Sequence, residues 1–164
     1  MPLTLLLNII VLWVHLFSAV LFVGGSFFMW WVIVPASHLI TTDESERTRI
    51  VGKIARSFGN MTKPLIAVLV ITGLYNATWY LPSANGLLEY PGTLLLTKVI
   101  LIALLLALIY VHNVYYGKRI IRLAKEARLD ELKALRSRSR IVSAANLTLM
   151  LLILLLSTLM QMPP

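Results

Sequence analysis

The stretch that decides the fold is LLLTKVILIALLLALIYVHNVYY, residues Leu94–Tyr116. Lys98 is the one Asp, Glu, Lys or Arg side chain within it. The hydrocarbon core of a bilayer is about 30 Å thick, and a helix that rises about 1.5 Å per residue needs about 20 apolar residues to cross it. The stretch is therefore predicted to be a transmembrane helix.

Three further apolar runs lie on either side of this stretch: Leu3–Val34, Pro64–Leu81 and Ile141–Met160. The run at Pro64 is the shortest, and amphipathic sequence from about residue 45 is expected to extend it. Hydrophobic residues make up 59% of the 164-residue chain, and the mean hydropathy is +0.83, which is too apolar for a soluble domain of this size. We predict an all-α protein, a polytopic four-helix membrane bundle that forms one transmembrane domain over residues 1–164.

The net charge of +8 comes almost entirely from two linkers, Pro35–Lys63 and Gly117–Arg140. The linker Pro82–Gly92 and both termini contain no Lys or Arg. By the positive-inside rule the basic linkers face the cytoplasm, and both termini are extracytoplasmic. We therefore expect a multi-pass protein of the inner (cytoplasmic) membrane whose first partner is the lipid bilayer. This placement of the charge argues against a nucleic-acid partner.

Polar side chains inside the apolar runs are costly in lipid, and they often mark functional positions. When depth is counted from the basic ends at about 1.5 Å per residue, Met29, His112 and Asn146 lie about 9 Å inside the membrane. His15 and Lys98 lie about 30 Å inside on the same count. The sequence therefore predicts an inner and an outer layer of polar side chains within the bundle.

These layers contain the residue types that bind redox cofactors. His and Met are the usual axial ligands of haem, and bundles hold cofactors between facing helices. His112 and Met29 are the predicted inner axial ligands, and His15 is the outer one. Arg56 would hold the propionates, and Lys98 would transfer protons. The predicted cofactor-binding residues are His15, Met29, Arg56, His112 and Asn146.

Two alternatives stay open for the same residues. Because the chain contains no cysteine, thiolate sites and Fe–S clusters are excluded, but His and Met side chains also suit copper. His15, Met29 and His112 are therefore also the predicted metal ligands. Each histidine could equally be a plain interhelical hydrogen-bonding residue, and each methionine could be a packing residue.

Short stretches of three helices resemble a known membrane family. The run HLFSAVLFVGG at His15–Gly25 resembles the first-helix signature of the copper-resistance-D-like integral membrane family. ARSF at Ala55–Phe58, with ITGL at Ile71–Leu74, resembles the pattern of its second helix, and LTKV at Leu96–Val99 resembles that of its third. The resemblance spans about residues 12–115.

Membrane protoporphyrinogen oxidases of the HemJ type are similar, with a histidine in helix 1 and a lysine in helix 3. His15, Arg56, Gly73 and Lys98 match the pattern that the two groups share. The resemblance implies a four-helix membrane unit that binds haem b or handles copper.

Three alternative functions are therefore expected, in order of preference. The first is a haem b-binding, cytochrome-like protein that transfers electrons or acts on a small redox substrate. It would be a haem-dependent membrane oxidoreductase with a quinone or a redox protein as partner, and it could form a homodimer. The second is a copper-transporting or copper-binding membrane protein that uses His15, Met29, Met160 and His112. The third is a cofactor-free accessory subunit of a membrane complex.

Overall fold

The structure, a computed structural model, describes residues 2–78, 88, 92–126 and 128–161, and every regular element in these ranges is helical. The long helices are α1 (Leu3–Ile40), α2 (Glu44–Ala77), α3 (Gly92–Lys125) and α4 (Leu129–Leu159). Each of the four is long and apolar enough to cross a membrane, which confirms the predicted all-α, multi-pass fold. The predicted end of helix 2 at residues 79–81 and most of the linker that follows it lie outside the described residues.

Helix α1 continues beyond its expected end at Val34. A π-helical turn, Met29–Ile33, precedes Pro35, and the N–H of Val34 donates to the carbonyl of Met29. Proline has no N–H to donate, and its ring crowds the carbonyl one turn earlier. A wide turn at this position lets the helix absorb the irregularity. The helix then ends at Ile40, before an extended Thr41.

Helix α2 joins the amphipathic segment and the apolar run into one element. The Asp43 carboxylate accepts a hydrogen bond from the N–H of Ser45 at 2.9 Å and caps the helix. Glu44 and Glu46 in the first turn suit the positive end of the helix dipole. The helix begins well before Pro64 because this cap starts it in the basic linker.

Helices α3 and α4 extend far beyond their apolar runs. Helix α3 passes through a π-helical turn, His112–Gly117, and ends at Lys125, and α4 begins at Leu129. Leu123 and Leu132 are almost fully buried against each other's helices at this end. The second basic linker is therefore a helical hairpin with a small apolar core of its own.

The bundle consists of two antiparallel pairs, α1 with α2 and α3 with α4. All four helices contribute to one core, whose most buried members are Phe22, Leu105, Leu147, Leu149 and Met150. The outward faces are apolar and widely exposed; the side chains of Trp13, Phe17, Ile71, Leu74 and Ile141 are all more than half exposed. Such faces are expected on helices that lie in lipid rather than in water.

An ion-pair cluster joins the two helix pairs at the basic end. The Glu44 carboxylate of α2 contacts both Arg47 of its own helix and Arg136 of α4. Arg136 also donates to the hydroxyl of Thr48, and the Ser45 hydroxyl donates to the carbonyl of Ala124 at 3.3 Å. These contacts hold the start of α2 against the α3–α4 hairpin.

Candidate functional site

His15 of α1 contacts α2 at the end of the bundle that is remote from the basic linkers. Its Nδ1 atom lies 2.8 Å from the hydroxyl oxygen of Thr72, and the ring is half-buried. Two turns nearer the start of α1, the Tyr75 hydroxyl donates to the side-chain oxygen of Asn8 at 2.7 Å. Both hydrogen bonds cross between α1 and α2, so the position of the imidazole is set by the pairing of these helices.

The proton on the Thr72 hydroxyl determines which nitrogen of His15 carries hydrogen. Thr72 Oγ1 lies 2.6 Å from the carbonyl oxygen of Val68, which can only accept. The hydroxyl therefore donates to Val68 and accepts from His15. His15 Nδ1 must then be protonated, and Nε2 of the neutral ring keeps its lone pair. Metal-ligating histidines are commonly oriented in this way, by a hydrogen bond from the other ring nitrogen.

Gly73 allows the His15 ring to lie close to α2. A Cβ atom added at Gly73 would be 3.3 Å from Cε1 and 3.9 Å from Nδ1 of His15. The shorter of these distances is tighter than an ordinary van der Waals contact, so a larger residue would push the ring away from Thr72. The glycine and the threonine thus act together to place one imidazole.

Lys98 of α3 approaches the same end of the bundle. Its side chain is partly buried, and it lies near enough to His15 for the two groups to interact electrostatically. The described carboxylates all belong to residues 43–46 and 126–131, at the opposite end. Within the described part of the chain, therefore, the Lys98 ammonium group has no carboxylate near it. The structure brings the two polar residues of the expected outer layer into one neighbourhood.

His112 connects α3 to α4. Its Nε2 atom is 3.0 Å from the Ser139 hydroxyl and 3.1 Å from the Ser143 hydroxyl, one turn further along α4. Both hydroxyls thus engage the same ring nitrogen. In this structure His112 therefore acts as an interhelical hydrogen-bonding residue. Sequence reasoning missed these two serine partners. The available signal was their position on the face of α4 that turns away from its charged residues.

Met29 lies in a different place, a groove of about 540 Å³ between α1 and α2. Gly25, Phe58 and Met61 also line this groove. A Cβ atom at Gly25 would lie 2.5 Å from the Phe58 ring, so the ring rests on bare backbone. Met61 is a second thioether on the facing helix, and sequence reasoning missed it because its position depends on how α1 and α2 are paired.

Arg56 and Asn146 are also separated from His15. Arg56 is exposed and lines a second groove, between α2 and α3 at the basic end. It is sixteen residues from Thr72 on the same helix, or about 24 Å along the axis. Asn146 is buried in the central core, and its side-chain oxygen has no hydrogen-bond partner. Such an atom is a natural position for a bound water or ligand.

The predicted haem residues thus occupy separate regions of the bundle. The described residues contain no group of three His, Asp or Glu side chains that could hold a metal ion. The Met29 and His112 side chains face different helices, and Arg56 is too far from His15 to hold the propionates of a macrocycle bound there. This arrangement does not fit a haem held between two of these ligands. His15 offers a nitrogen lone pair that its hydrogen bond to Thr72 already orients.

Comparison with known proteins identifies one family. A family model described as Copper resistance protein D matches residues 52–160. The matched segment contains Arg56, Thr72, Gly73 and Lys98, whereas His15 precedes it. No curated protein and no solved structure matches the chain.

Proposed function

Since the chain belongs to the Copper resistance protein D family, we propose that this multi-pass membrane protein binds copper as its cargo through His15. The observation that carries the proposal is the hydrogen bond from His15 to Thr72, which leaves the Nε2 lone pair available. Imidazole nitrogen is a good copper ligand. The site would lie at the end of the bundle that the positive-inside rule assigns to the extracytoplasmic face.

Lys98 couples copper binding to proton release in this proposal. An ammonium group close to His15 repels an incoming cation, and the described part of the chain places no carboxylate beside it. Loss of the Lys98 proton removes that repulsion. Copper binding is then expected to strengthen as the pH rises, because ligands must lose their protons before they bind metal.

Met29 and Met61 form a second, separate station in the proposal. Thioether sulfur selects Cu(I), and both side chains line the groove between α1 and α2. Met29 is fourteen residues from His15 on α1, about 21 Å along the helix axis. The histidine and the methionines would therefore bind copper in succession rather than share one ion.

The test is Cu(I) binding by the protein purified in detergent, measured by competition with a chromophoric Cu(I) chelator. Wild type and His38→Ala should bind with equal affinity, because His38 is exposed and bonded to Arg47 at the basic end. His15→Ala should bind at least about 10-fold more weakly, since even loss of a ligand's supporting partner costs about 10–100-fold. Equal binding by His15→Ala and wild type would overturn the assignment of the site.

The role of Lys98 is tested separately by the pH dependence of Cu(I) affinity. Wild type should gain affinity as the pH rises, and Lys98→Met should lose most of that gain while the protein remains folded. A Lys98→Met variant with an unchanged pH dependence would contradict proton-coupled binding but not copper binding itself.

Haem b is the second candidate, because an oriented Nε2 also suits a single axial ligand, here supplied by His15. Haem would supply one-electron chemistry to the bundle. Visible spectra of protein from haem-replete cells, before and after dithionite, separate the two candidates. A Soret band that His15→Ala abolishes would favour haem, and a flat spectrum with Cu(I) binding would favour copper. If the protein shows neither a Soret band nor Cu(I) binding, the remaining candidate is a cofactor-free accessory subunit.

A further inference from the structure

The groove between α2 and α3 at the basic end is independent of the proposed copper site. Its volume is about 260 Å³, and four cationic side chains line it. They are Arg49, Lys53, Arg56 and Lys125. Three of them follow one another on one side of α2, and Lys125 ends α3 opposite them.

Carboxylates compensate little of this charge. Glu46 lies 3.8 Å from Arg49, and both side chains are exposed, so this ion pair is weak. Within the described residues, no carboxylate lies within ion-pair distance of Lys53, Arg56 or Lys125. Nearby Glu44 is already engaged with two arginines. The groove therefore keeps a local excess of positive charge.

The lining of the groove is apolar between its cations. Ile121 and Ala124 of α3 face Gly52 of α2, and a Cβ atom at Gly52 would only just touch Ile121. Ile121 is five residues beyond Tyr116, the last residue of the apolar run, or about 8 Å along the helix. This is the outer part of the headgroup region, since the polar regions of a bilayer extend about 5–8 Å beyond the hydrocarbon on each side.

We propose that this groove binds the headgroup of an anionic phospholipid from the adjacent leaflet. The phosphate would lie among the Lys53, Arg56 and Lys125 side chains, and the rest of the headgroup would lie against Ile121. A lipid fits better than a soluble anion because the groove combines cations with an apolar lining and opens at the level of the bilayer surface. Basic pockets between transmembrane helices are known to bind such headgroups.

The size of the effect follows from the number of cations. Each Lys or Arg near a membrane surface strengthens binding to anionic lipid about fivefold. Replacing Lys53, Arg56 and Lys125 by Gln should therefore weaken binding by about 100-fold. A matched control makes the same charge change outside the groove, with Lys118, Lys133 and Arg138 replaced by Gln. All three control residues are exposed and do not line the groove.

The experiment adds phosphatidylglycerol or phosphatidylcholine in mixed micelles to the purified protein and follows thermal unfolding. Phosphatidylglycerol should raise the melting temperature of wild type and of the control variant, but not that of the groove variant. Phosphatidylcholine should raise none of them. The proposal would be overturned if both variants lost the phosphatidylglycerol-induced rise in melting temperature equally, or if wild type showed no such rise.

Two further measurements keep the result decisive. An equal shift of wild type with inorganic phosphate would also overturn the proposal, since it would mean that the groove takes a free anion. If the triple variant does not fold, native mass spectrometry of Arg56→Gln can replace it. This variant should retain phosphatidylglycerol about fivefold less well than Arg138→Gln, and equal retention would count against the groove.

Discussion

Replacing Thr72 by valine tests the geometry of the His15 site directly. Valine keeps the shape of the side chain and removes the hydroxyl that accepts from His15 Nδ1. The Val68 carbonyl loses the hydrogen bond from the hydroxyl but keeps a partner, because it still accepts a helical hydrogen bond from the backbone N–H of residue 72. The substitution therefore isolates one hydrogen bond between α1 and α2.

The expected loss of stability follows from the half-buried position of the ring. Interhelical hydrogen bonds in membrane proteins contribute about 0.6 kcal/mol on average and up to about 1.7 kcal/mol. An unpaired buried N–H costs about 1–3 kcal/mol. Because His15 is only half-buried, we expect Thr72→Val to lower the free energy of unfolding by about 1–2 kcal/mol. Thr72→Ser keeps the hydroxyl and should lose less.

The sharper readout is the tautomer of His15, measured by nitrogen-15 NMR of protein labelled at histidine. The chain has three histidines, and His15→Ala assigns the signal. Wild type should show hydrogen on Nδ1 and a bare Nε2, and Thr72→Val should shift the population towards hydrogen on Nε2. Copper affinity should fall about 10–100-fold in parallel, as it does when a supporting partner is lost.

Hydrogen on Nε2 in the wild-type protein would refute this reasoning, whatever the stability of the variant. So would an unchanged tautomer in Thr72→Val, because the hydroxyl would then have no part in orienting the ring. A stability loss of equal size in Thr72→Ser would show that packing, rather than the hydrogen bond, holds α1 and α2 together here.

Three other predictions concern the packing of the bundle, and all are tested by thermal unfolding in detergent. Gly25→Ala should lower the free energy of unfolding by about 1–3 kcal/mol, because the added methyl group overpacks against the Phe58 ring. The loss is smaller if this ring moves into the groove. Gly24→Ala is the control, because its added methyl group would meet nothing within 4 Å. It should leave the stability unchanged or raise it by up to about 1 kcal/mol through helix propensity. Equal losses of stability in the Gly24 and Gly25 variants would contradict the close contact between Gly25 and the ring. Glu44→Gln should lower the melting temperature more in dilute buffer than in 1 M salt, since salt already weakens the ion pairs it removes. Ser139→Ala or Ser143→Ala alone should cost little stability, because the other hydroxyl still bonds His112. Only the double variant should approach a loss of about 1–2 kcal/mol. Additive losses in the two single variants would argue that the serines do not share His112.

Sequence reasoning located the membrane helices because lipid imposes a simple rule on each one separately. A run such as Leu94–Tyr116 must be helical in a bilayer, whatever its neighbours are, since its backbone polar groups have no water to bond. The ends of the helices were less predictable. The predicted run ended at Val34, but a π-helical turn carries α1 past Pro35 to Ile40, and that depends on local backbone geometry.

The candidate site was predictable in its residue types but not in its pairings. His15 and Lys98 stand out because polar groups are costly in lipid, and Lys98 is near enough to His15 to act on it electrostatically. His112 stands out for the same reason, yet its ring is used by two serines of α4. Nothing local to a histidine distinguishes these environments, because each depends on the register between two helices.

The sequence by itself determined that the chain is a four-helix membrane protein, because hydrophobic length and charge asymmetry are properties of each segment alone. It also supplied the short list of side chains that could do chemistry. Only the tertiary structure decided how these side chains are paired. The Thr72 hydroxyl leaves a lone pair on His15, and the serine hydroxyls engage Nε2 of His112. The physical reason is that a hydrogen bond depends on distances of a few tenths of an ångström between helices, and the spacing of residues along one helix does not contain that information.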